Sequence, residues 1–320
     1  MMSLAERIVP FNAGDGLPLN LVNIRPADGQ ASRKGPVLLV HGAGVRANIF
    51  RTPGQVSIVD ALVEAGYDVW LENWRASIDF PPTLWTLDQA ALFDHPQAVR
   101  KIVEETGEST IKAIIHCQGS TSFTMSALAG LVPEVTTIVS NAVSLHPIVP
   151  FWSRCKLEAA VPPVSMLTPY LNPHWGVEAP SFISKAITAL VKAVHHECDN
   201  DVCKLVSFTY GSGFPALWRH ENLSDTAHDW IKDEFGCVPL RFFKQMAKCV
   251  RQGHLVAVEG LAGLPADFSE TPRTEARFAF FTGTENRCFL PESQEQSWRF
   301  FNALRASADV FPLMLSELAY

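Results

Sequence analysis

The sequence predicts an α/β fold: a mostly parallel sheet with helices on both faces, interrupted by a helical insertion. In residues 1–146, short apolar runs of strand length alternate with segments whose apolar residues recur at helical spacing. This alternation is typical of parallel strands joined by crossover helices. Prolines, tryptophans and amphipathic helical patterns dominate residues 147–272, and RFAFFTG then returns as a buried-strand pattern.

The individual elements follow in chain order. ERIVPF and LNLVNIRP flank the turn signal GDG and predict an antiparallel hairpin. PVLLV, YDVWL, IKAIIH and VTTIVSN predict buried strands, and the helices between them are predicted to end near Gly66 and Gly107. A helix over about residues 291–304 and a late strand at ADVF complete the prediction.

The change of pattern predicts three segments. Residues 1–146 and 273–320 form the two parts of one α/β core, and residues 147–272 form a helical cap inserted between them. An insertion of this size is usually a lid over a functional site. The alternative is a separate structural subdomain.

Composition excludes several classes of function. The net charge of −7, with acids and bases mixed along the 320 residues, argues against a nucleic-acid-binding protein. The sequence has no run of eighteen apolar residues, which a membrane-spanning helix would need, and its first residues lack a signal-peptide pattern. Seven cysteines, an odd number, are typical of reduced thiols in a cytoplasmic protein. Cys198 and Cys203 could pair or help bind a metal, but their spacing fits no strong template, so we expect no metal and no cofactor.

Ligands bind at the carboxyl ends of parallel strands, and the first such end reads VLLVHGAG. His41, Gly42, Ala43 and Gly44 follow the strand. Glycines there allow a tight turn with exposed N–H groups, which near a nucleophile form an oxyanion hole. The alternative is a turn that simply requires positive φ angles.

A second strand end carries the candidate nucleophile. Residues 115–119, called the elbow below, match the strand-to-helix pattern G-x-S-x-G with Ile115 in place of the first glycine and Cys117 in place of serine. A helix N-terminus lowers the pKa of a thiol, and the Gln118 N–H is placed to meet an oxyanion. The alternative is an inert buried cysteine, the commonest fate of a free thiol.

A third strand end carries the candidate orienting residue. After RFAFFTG, Asn286 stands where the acid member of a catalytic triad is expected, and Glu285 precedes it. An asparagine can orient a cysteine–histidine pair. The alternative is an ordinary turn that favours asparagine.

The chain resembles an α/β-hydrolase of the acid-lipase-like group, and more closely the bacterial hydrolase domain associated with cholesterol-oxidase-type flavoenzymes. The resemblance covers about residues 5–305 and rests on LLVHGAG, AGYDVWLENWRAS, FDHPQAVRKIVEETG, IIHCQGS, GTENRCFLPESQ and, in the insertion, GFPALWRHENLSDTAHDWIKDEFG.

This resemblance implies a set of roles and a reaction. Cys117 would be the nucleophile, the backbone of Ala43 and Gln118 would hold the oxyanion, and Asn286 or Glu285 would orient the base. It implies hydrolysis of ester or related acyl bonds in small apolar, lipid- or steroid-like substrates, through a thioester acyl-enzyme. A flavin-dependent sterol oxidase is the implied candidate partner.

The histidine of this fold normally follows the last strand, yet no histidine occurs after His254. Three expectations follow: a C-terminus that is truncated, a substitute base, or a hydrolase-like protein that binds a lipid or steroid without turnover. His146 is the best-placed substitute, and His228 or His254 could reach in from the cap. His41 and His116 are expected to hold their turns through local hydrogen bonds.

Two other enzyme classes can be set aside. A dinucleotide-binding oxidoreductase needs G-x-G-x-x-G after its first strand, which this sequence lacks. His195 and His196 are adjacent, so on a helix they cannot form the i, i+4 pair of a metal hydrolase.

Overall fold

The computed structural model describes residues 3–29, 32–211, 217–270, 272–304 and 310–315. Within them, eight strands form one sheet and two short strands form a separate antiparallel ribbon. The strands are β1 (Leu4–Asn12), β2 (Pro18–Pro26), β3 (Pro36–Val40), β4 (Asp68–Asn73), β5 (Ile111–His116), β6 (Val135–Asn141), β7 (Tyr170–Leu171), β8 (Val238–Pro239), β9 (Arg277–Gly283) and β10 (Val310–Leu315).

Helices cover both faces of this sheet and fill the insertion. They are α1 (Ile58–Glu64), α2 (Leu87–Gln89), α3 (His95–Thr106), α4 (Cys117–Leu128), α5 (Phe151–Cys155), α6 (Val161–Leu167), α7 (Phe182–Val194), α8 (Asp201–Tyr210), α9 (Asp225–Glu234), α10 (Leu240–Gln252) and α11 (Glu292–Leu304). A π-helical turn, Ala90–Asp94, joins α2 to α3, and a second, Lys156–Ala160, joins α5 to α6.

The strand order of the large sheet is β1-β2-β4-β3-β5-β6-β9-β10. The β1–β2 and β2–β4 pairs are antiparallel, and every later pair is parallel, which confirms the predicted hairpin and the mostly parallel sheet. All five residues of β3 are buried, because helices cover both faces of the sheet at this point. Of the predicted strand ADVF, Val310 and Phe311 lie in β10, and residues 308–309 lie outside the described residues.

The insertion packs onto the sheet through a shared apolar core. In chain order, helices α5 to α10 and the β7–β8 ribbon follow β6 and precede β9. Buried Leu157, Val238 and Phe242 belong to the same core cluster as Val40 and Trp70 of the sheet. Burying each such side chain contributes about 1.5–3 kcal/mol. The insertion is therefore fixed over the sheet, and the exact bounds 147–272 stay a prediction.

The strand order reverses beside β3, and this reversal positions the site. The chain runs from β3 outward to β4 and then returns to β5 on the other side. In open α/β sheets, ligands bind at the carboxyl ends of the strands at such a reversal. Val40 pairs with Ile115 near those ends, so the loop after β3 meets the elbow after β5.

A buried polar network supports the elbow from below. His95 Nδ1 lies 2.9 Å from Glu72 Oε1, and His95 Nε2 lies 2.8 Å from Ser122 Oγ. Ser122 Oγ lies 3.3 Å from the Gln118 carbonyl oxygen, one turn back on α4. All three side chains of the Glu72–His95–Ser122 network are fully buried, and burial raises the pKa of Glu72. The network links β4, α3 and α4 directly beneath the candidate nucleophile.

Candidate active site

The elbow places Cys117 at the first residue of α4 in a left-handed conformation. Its φ angle is 53°, a region that non-glycine residues rarely occupy outside tight turns and functional sites. Gly119 is required two residues later, because a Cβ atom there would overlap the carbonyl oxygen of His41. The side chain of Cys117 is therefore held between β5 and the start of α4, as a nucleophile elbow requires.

The loop after β3 lies against the elbow. A methyl group on Gly42 would lie 3.2 Å from Cys117 Cβ and 3.5 Å from its Sγ, so glycine allows the close approach. The Ala43 carbonyl accepts a hydrogen bond of 2.8 Å from the Tyr210 hydroxyl of the cap. Among the described residues no partner is found for the Ala43 N–H. The N–H of Gln118, in the first turn of α4, has no intrahelical acceptor either.

Cys288 is the residue beside the candidate nucleophile that sequence reasoning missed. Its thiol donates a hydrogen bond to the sulfur of Cys117, which lowers the pKa of Cys117, and the Gln118 N–H lowers that pKa further against the effect of burial. The same contact and burial raise the pKa of Cys288 well above its ordinary value. The start of α4 also favours an anion at Cys117, so Cys117 is the sulfur of this pair that ionises more readily.

Asn286 holds Cys288 in place. Its Oδ1 accepts hydrogen bonds from the N–H groups of Cys288, at 2.9 Å, and Phe289, at 3.2 Å. The predicted orienting residue is thus in the site, and its described contacts are with the backbone of its own loop. Glu285, the alternative, has a half-exposed side chain that forms an ion pair of 3.4 Å with Arg219.

Lys156 is a second group that sequence reasoning missed. It lies in the cap, and its Nζ donates to the carbonyl oxygens of Phe208, Thr209 and Gly211 at 2.5, 3.2 and 2.6 Å. Burial lowers its pKa to about 8, and the neighbouring Cys288 opposes that shift. The ammonium group therefore anchors the end of α8 and places a positive charge behind the thiol pair.

Of the sequence-predicted histidines, His41 lies beside the elbow and His116 lies within it. His41 is fully buried, its Nδ1 lies 2.6 Å from the Gly42 carbonyl oxygen, and burial lowers its pKa to about 3. His116 lines the pocket described below, and burial lowers its pKa to about 4. Its buried Nδ1 has no hydrogen-bond partner among the described residues. Both rings are therefore neutral at pH 7.

The three histidines considered as substitute bases have other described contacts. His146 Nδ1 lies 3.3 Å from Ser297 Oγ, its ring packs on Phe300, and burial lowers its pKa to about 4. His254 Nε2 lies 2.9 Å from Asp267 Oδ2. His228 packs against His220 in the cap. None of the three is among the described residues that line the pocket over Cys117.

An apolar pocket of about 440 Å³ opens above Cys117. The sheet domain supplies its floor, which includes Gly42, Ala43, His116, Asn286 and Cys288. The cap supplies an apolar roof. The roof consists of Leu217, Trp218, Leu223, Ala227, Trp230, Ile231 and Phe235. A site of this shape suits a ligand that is largely apolar, with a few polar atoms near the floor.

Among the residues that the structure describes, no helix is both long enough and apolar enough to cross a bilayer.

The pKa of Cys117 can be read from its alkylation rate. We expect iodoacetamide to modify Cys117 with a pH midpoint below the ordinary thiol value of about 8.5, because Cys288 and Gln118 stabilise the thiolate. Replacement of Cys288 by alanine removes the donated hydrogen bond and should raise the midpoint. The measurement is peptide mass spectrometry of modified Cys117 against pH.

Cys155→Ser serves as the control for this titration, since Cys155 lies in α5 and is not among the residues lining the pocket. It should leave the midpoint unchanged. An unchanged pH midpoint for Cys117 alkylation in Cys288→Ala would show that Cys288 does not stabilise the Cys117 thiolate.

Sequence comparison identifies relatives among lipases and esterases. Sterol esterase 2 of Saccharomyces cerevisiae is 24% identical over 136 residues, which are 36% of this chain and 25% of the esterase. Human lipase member K is 29% identical over 151 residues, 42% of this chain and 37% of the lipase. The chain thus matches well under half the length of these relatives. No protein-family profile matches it.

Comparison with solved structures shows the fold. An esterase from Exiguobacterium antarcticum superposes with a TM-score of 0.58 at 10% identity, covering 97% of this chain and 91% of the esterase. This likeness, with the sheet order and the elbow, confirms the predicted α/β-hydrolase fold. The narrower resemblance to hydrolases associated with cholesterol oxidases stays a prediction.

Proposed function

We propose that the chain hydrolyses esters of apolar acyl groups through a thioester on Cys117. The observation that carries the proposal is the position of Cys117: in the left-handed elbow, beside the N–H groups of Ala43 and Gln118, at the floor of an apolar pocket. The lipase and esterase relatives support the same type of reaction.

In the acylation step the Cys117 thiolate attacks the ester carbonyl carbon. The oxyanion accepts hydrogen bonds from the N–H groups of Ala43 and Gln118, which need no reorganisation as the charge develops. The carbon–oxygen bond then breaks, and the leaving alkoxide takes the proton of the Cys288 thiol. A thiol with a raised pKa is protonated at pH 7 and so has this proton to give.

In the deacylation step the charges return to their starting positions. The Cys288 thiolate removes a proton from a water molecule, and the resulting hydroxide attacks the thioester carbon. The carbon–sulfur bond breaks, the carboxylic acid leaves, and Cys117 is released as a thiolate. Cys288 therefore serves as general acid and then as general base, two roles that a group of raised pKa can fill.

The substrate class follows from the roof of the pocket. Its indole and phenyl rings, at Trp218, Trp230 and Phe235, present apolar surface to whatever acyl or alkyl group enters. Lipid or steroid esters fit this surface, and the sterol esterase and lipase relatives support the same class. Association with a flavin-dependent sterol oxidase and a cytoplasmic location are further proposals, which rest on the resemblance and on the seven free cysteines.

A panel of p-nitrophenyl esters tests the substrate class. We expect kcat/KM to rise by up to about fourfold per added methylene from acetate to laurate, because each buried CH₂ contributes about 0.8 kcal/mol. Trp230→Ala should flatten this dependence, since Trp230 lines the roof. Trp152→Ala is the control, because Trp152 is 65% exposed and is not among the residues lining the pocket. Tight binding of sterol esters without turnover of any ester would instead support a binding protein.

A further inference from the structure

A second cluster of nucleophilic and basic side chains lies in the cap. Cys198, Cys203, His220 and His228 each offer one ligand atom, and these four atoms lie within 4.8 Å of one another. Cys203 Sγ lies 3.3 Å from His220 Nε2. In a tetrahedral zinc site with bonds of about 2.0–2.3 Å, ligand atoms lie about 3.3–3.8 Å apart. Small side-chain shifts would therefore bring all four onto one ion.

An unpartnered buried atom points to a missing ligand. His228 Nε2 is buried and has no hydrogen-bond partner among the described residues. A buried polar group that makes no hydrogen bond costs about 1–3 kcal/mol. A metal ion bound at Nε2 would remove that cost, since neutral imidazole is a preferred zinc ligand.

The backbone around the cluster is already organised. Asn200 Oδ1 accepts from the N–H groups of Val202 and Cys203, each at 3.1 Å, and thereby caps α8. Its Nδ2 donates to the His228 carbonyl oxygen at 2.7 Å. One side chain thus ties the start of α8, which carries Cys203, to α9, which carries His228. Ligands on a fixed framework lose little entropy when they bind a metal.

We infer that Cys198, Cys203, His220 and His228 form a structural zinc site. Two thiolates and two imidazoles are the donor set of closed, four-coordinate zinc sites, which leave no position open for substrate. Copper(I) and iron also bind thiolates, but a donor set of two thiolates and two imidazoles is most typical of zinc. The spacing Cys-x₄-Cys followed by His-x₇-His matches no strong metal-site template. The sequence alone therefore did not predict the site, because the four ligands meet only when α8 packs beside α9.

The site would fix the roof of the substrate pocket. His220 and His228 flank Leu223 and Ala227, which line the pocket above Cys117. A zinc ion would link this roof segment to the start of α8 and so keep it at a constant distance from the pocket floor. The role is structural, separate from the chemistry at Cys117.

Metal analysis of the whole chain, purified with a reductant and desalted, tests the site. We expect elemental mass spectrometry to detect about one zinc ion per chain. Cys203→Ser and His228→Asn should each lower zinc affinity by more than the roughly 10–100-fold that loss of an outer-shell partner causes. Cys155→Ser and His196→Asn are the controls, because Cys155 lies in α5, His196 is exposed, and neither belongs to the cluster. Both variants should keep the metal.

Cobalt substitution makes the test independent of any variant that fails to fold. The wild-type chain loaded with Co²⁺ should show the intense visible bands of tetrahedral cobalt and a thiolate charge-transfer band in the near ultraviolet. A reduced chain that binds neither zinc nor cobalt, or that carries a Cys198–Cys203 disulfide in place of metal, would overturn the inference. Loss of zinc from either control would overturn the assignment of these four ligands.

Discussion

Replacement of Cys117 by alanine should abolish the burst of p-nitrophenol that accompanies acylation and lower turnover by about 10³-fold or more. The expected size of the effect follows from the position of the Cys117 thiol, the nucleophilic group that the elbow presents at the pocket floor with a lowered pKa. The measurement is stopped-flow release of p-nitrophenol together with intact-mass detection of the acyl-enzyme.

Cys117→Ser is the informative companion variant. A serine hydroxyl needs a strong neighbouring base to become a nucleophile, whereas a cysteine is partly ionised at neutral pH. The described pocket offers a thiol and the neutral, low-pKa imidazole of His116, so we expect the serine variant to be nearly as inactive as the alanine variant. A fully active serine enzyme would show that a base such as His146 acts on residue 117 after all.

Cys288→Ala separates the two steps of the reaction. The burst should persist, because Cys117 keeps its elbow and its oxyanion donors and p-nitrophenolate leaves without needing the proton of Cys288. Steady-state turnover should fall by about 10²–10⁴-fold, the usual contribution of general acid–base catalysis. Cys155→Ser should change neither phase. A Cys288→Ala variant with unimpaired turnover would remove Cys288 from the mechanism.

The parts of the fold that were predictable share one property: they follow from local pattern. The strand PVLLV occupies β3 with the predicted bounds, because the short apolar run VLLV, with valine at both ends, favours a buried strand over a helix, which is usually longer. The elbow was predictable for a similar reason, since Cys117 and Gly119 lie two residues apart on one strand-to-helix turn.

The missed residues are those that long-range packing brings to the site. Cys288 lies only two residues beyond Asn286, so an Asx turn after the strand was a usable signal, yet its thiol matters only because β5 and β9 end at the same edge. Lys156 and Tyr210 reach the site from the cap, where no periodicity relates their position to the sheet. Sequence pattern could therefore locate the elbow but not the groups that surround it.

Removal of His95 should cost about 3–5 kcal/mol in free energy of unfolding, because it breaks a fully buried pair of polar side chains. His95 lies between Glu72 and Ser122, and all three side chains are fully buried. His95→Ala would leave the Glu72 carboxyl group without its nearest partner in a site that water does not reach. Urea unfolding followed by tryptophan fluorescence measures the loss.

The double variant Glu72→Leu/His95→Leu distinguishes the cost of an unpaired carboxyl group from the loss of packing. If the penalty of His95→Ala arises from the stranded carboxyl, replacement of both partners by apolar side chains should recover most of the stability, as buried ion pairs often allow. The double variant should nonetheless hold the elbow less firmly, because Ser122 loses the imidazole that fixes it beneath Gln118. Stability restored together with a lowered acylation rate would therefore place this network in the positioning of the nucleophile. Full recovery of both would show that the network serves the core alone.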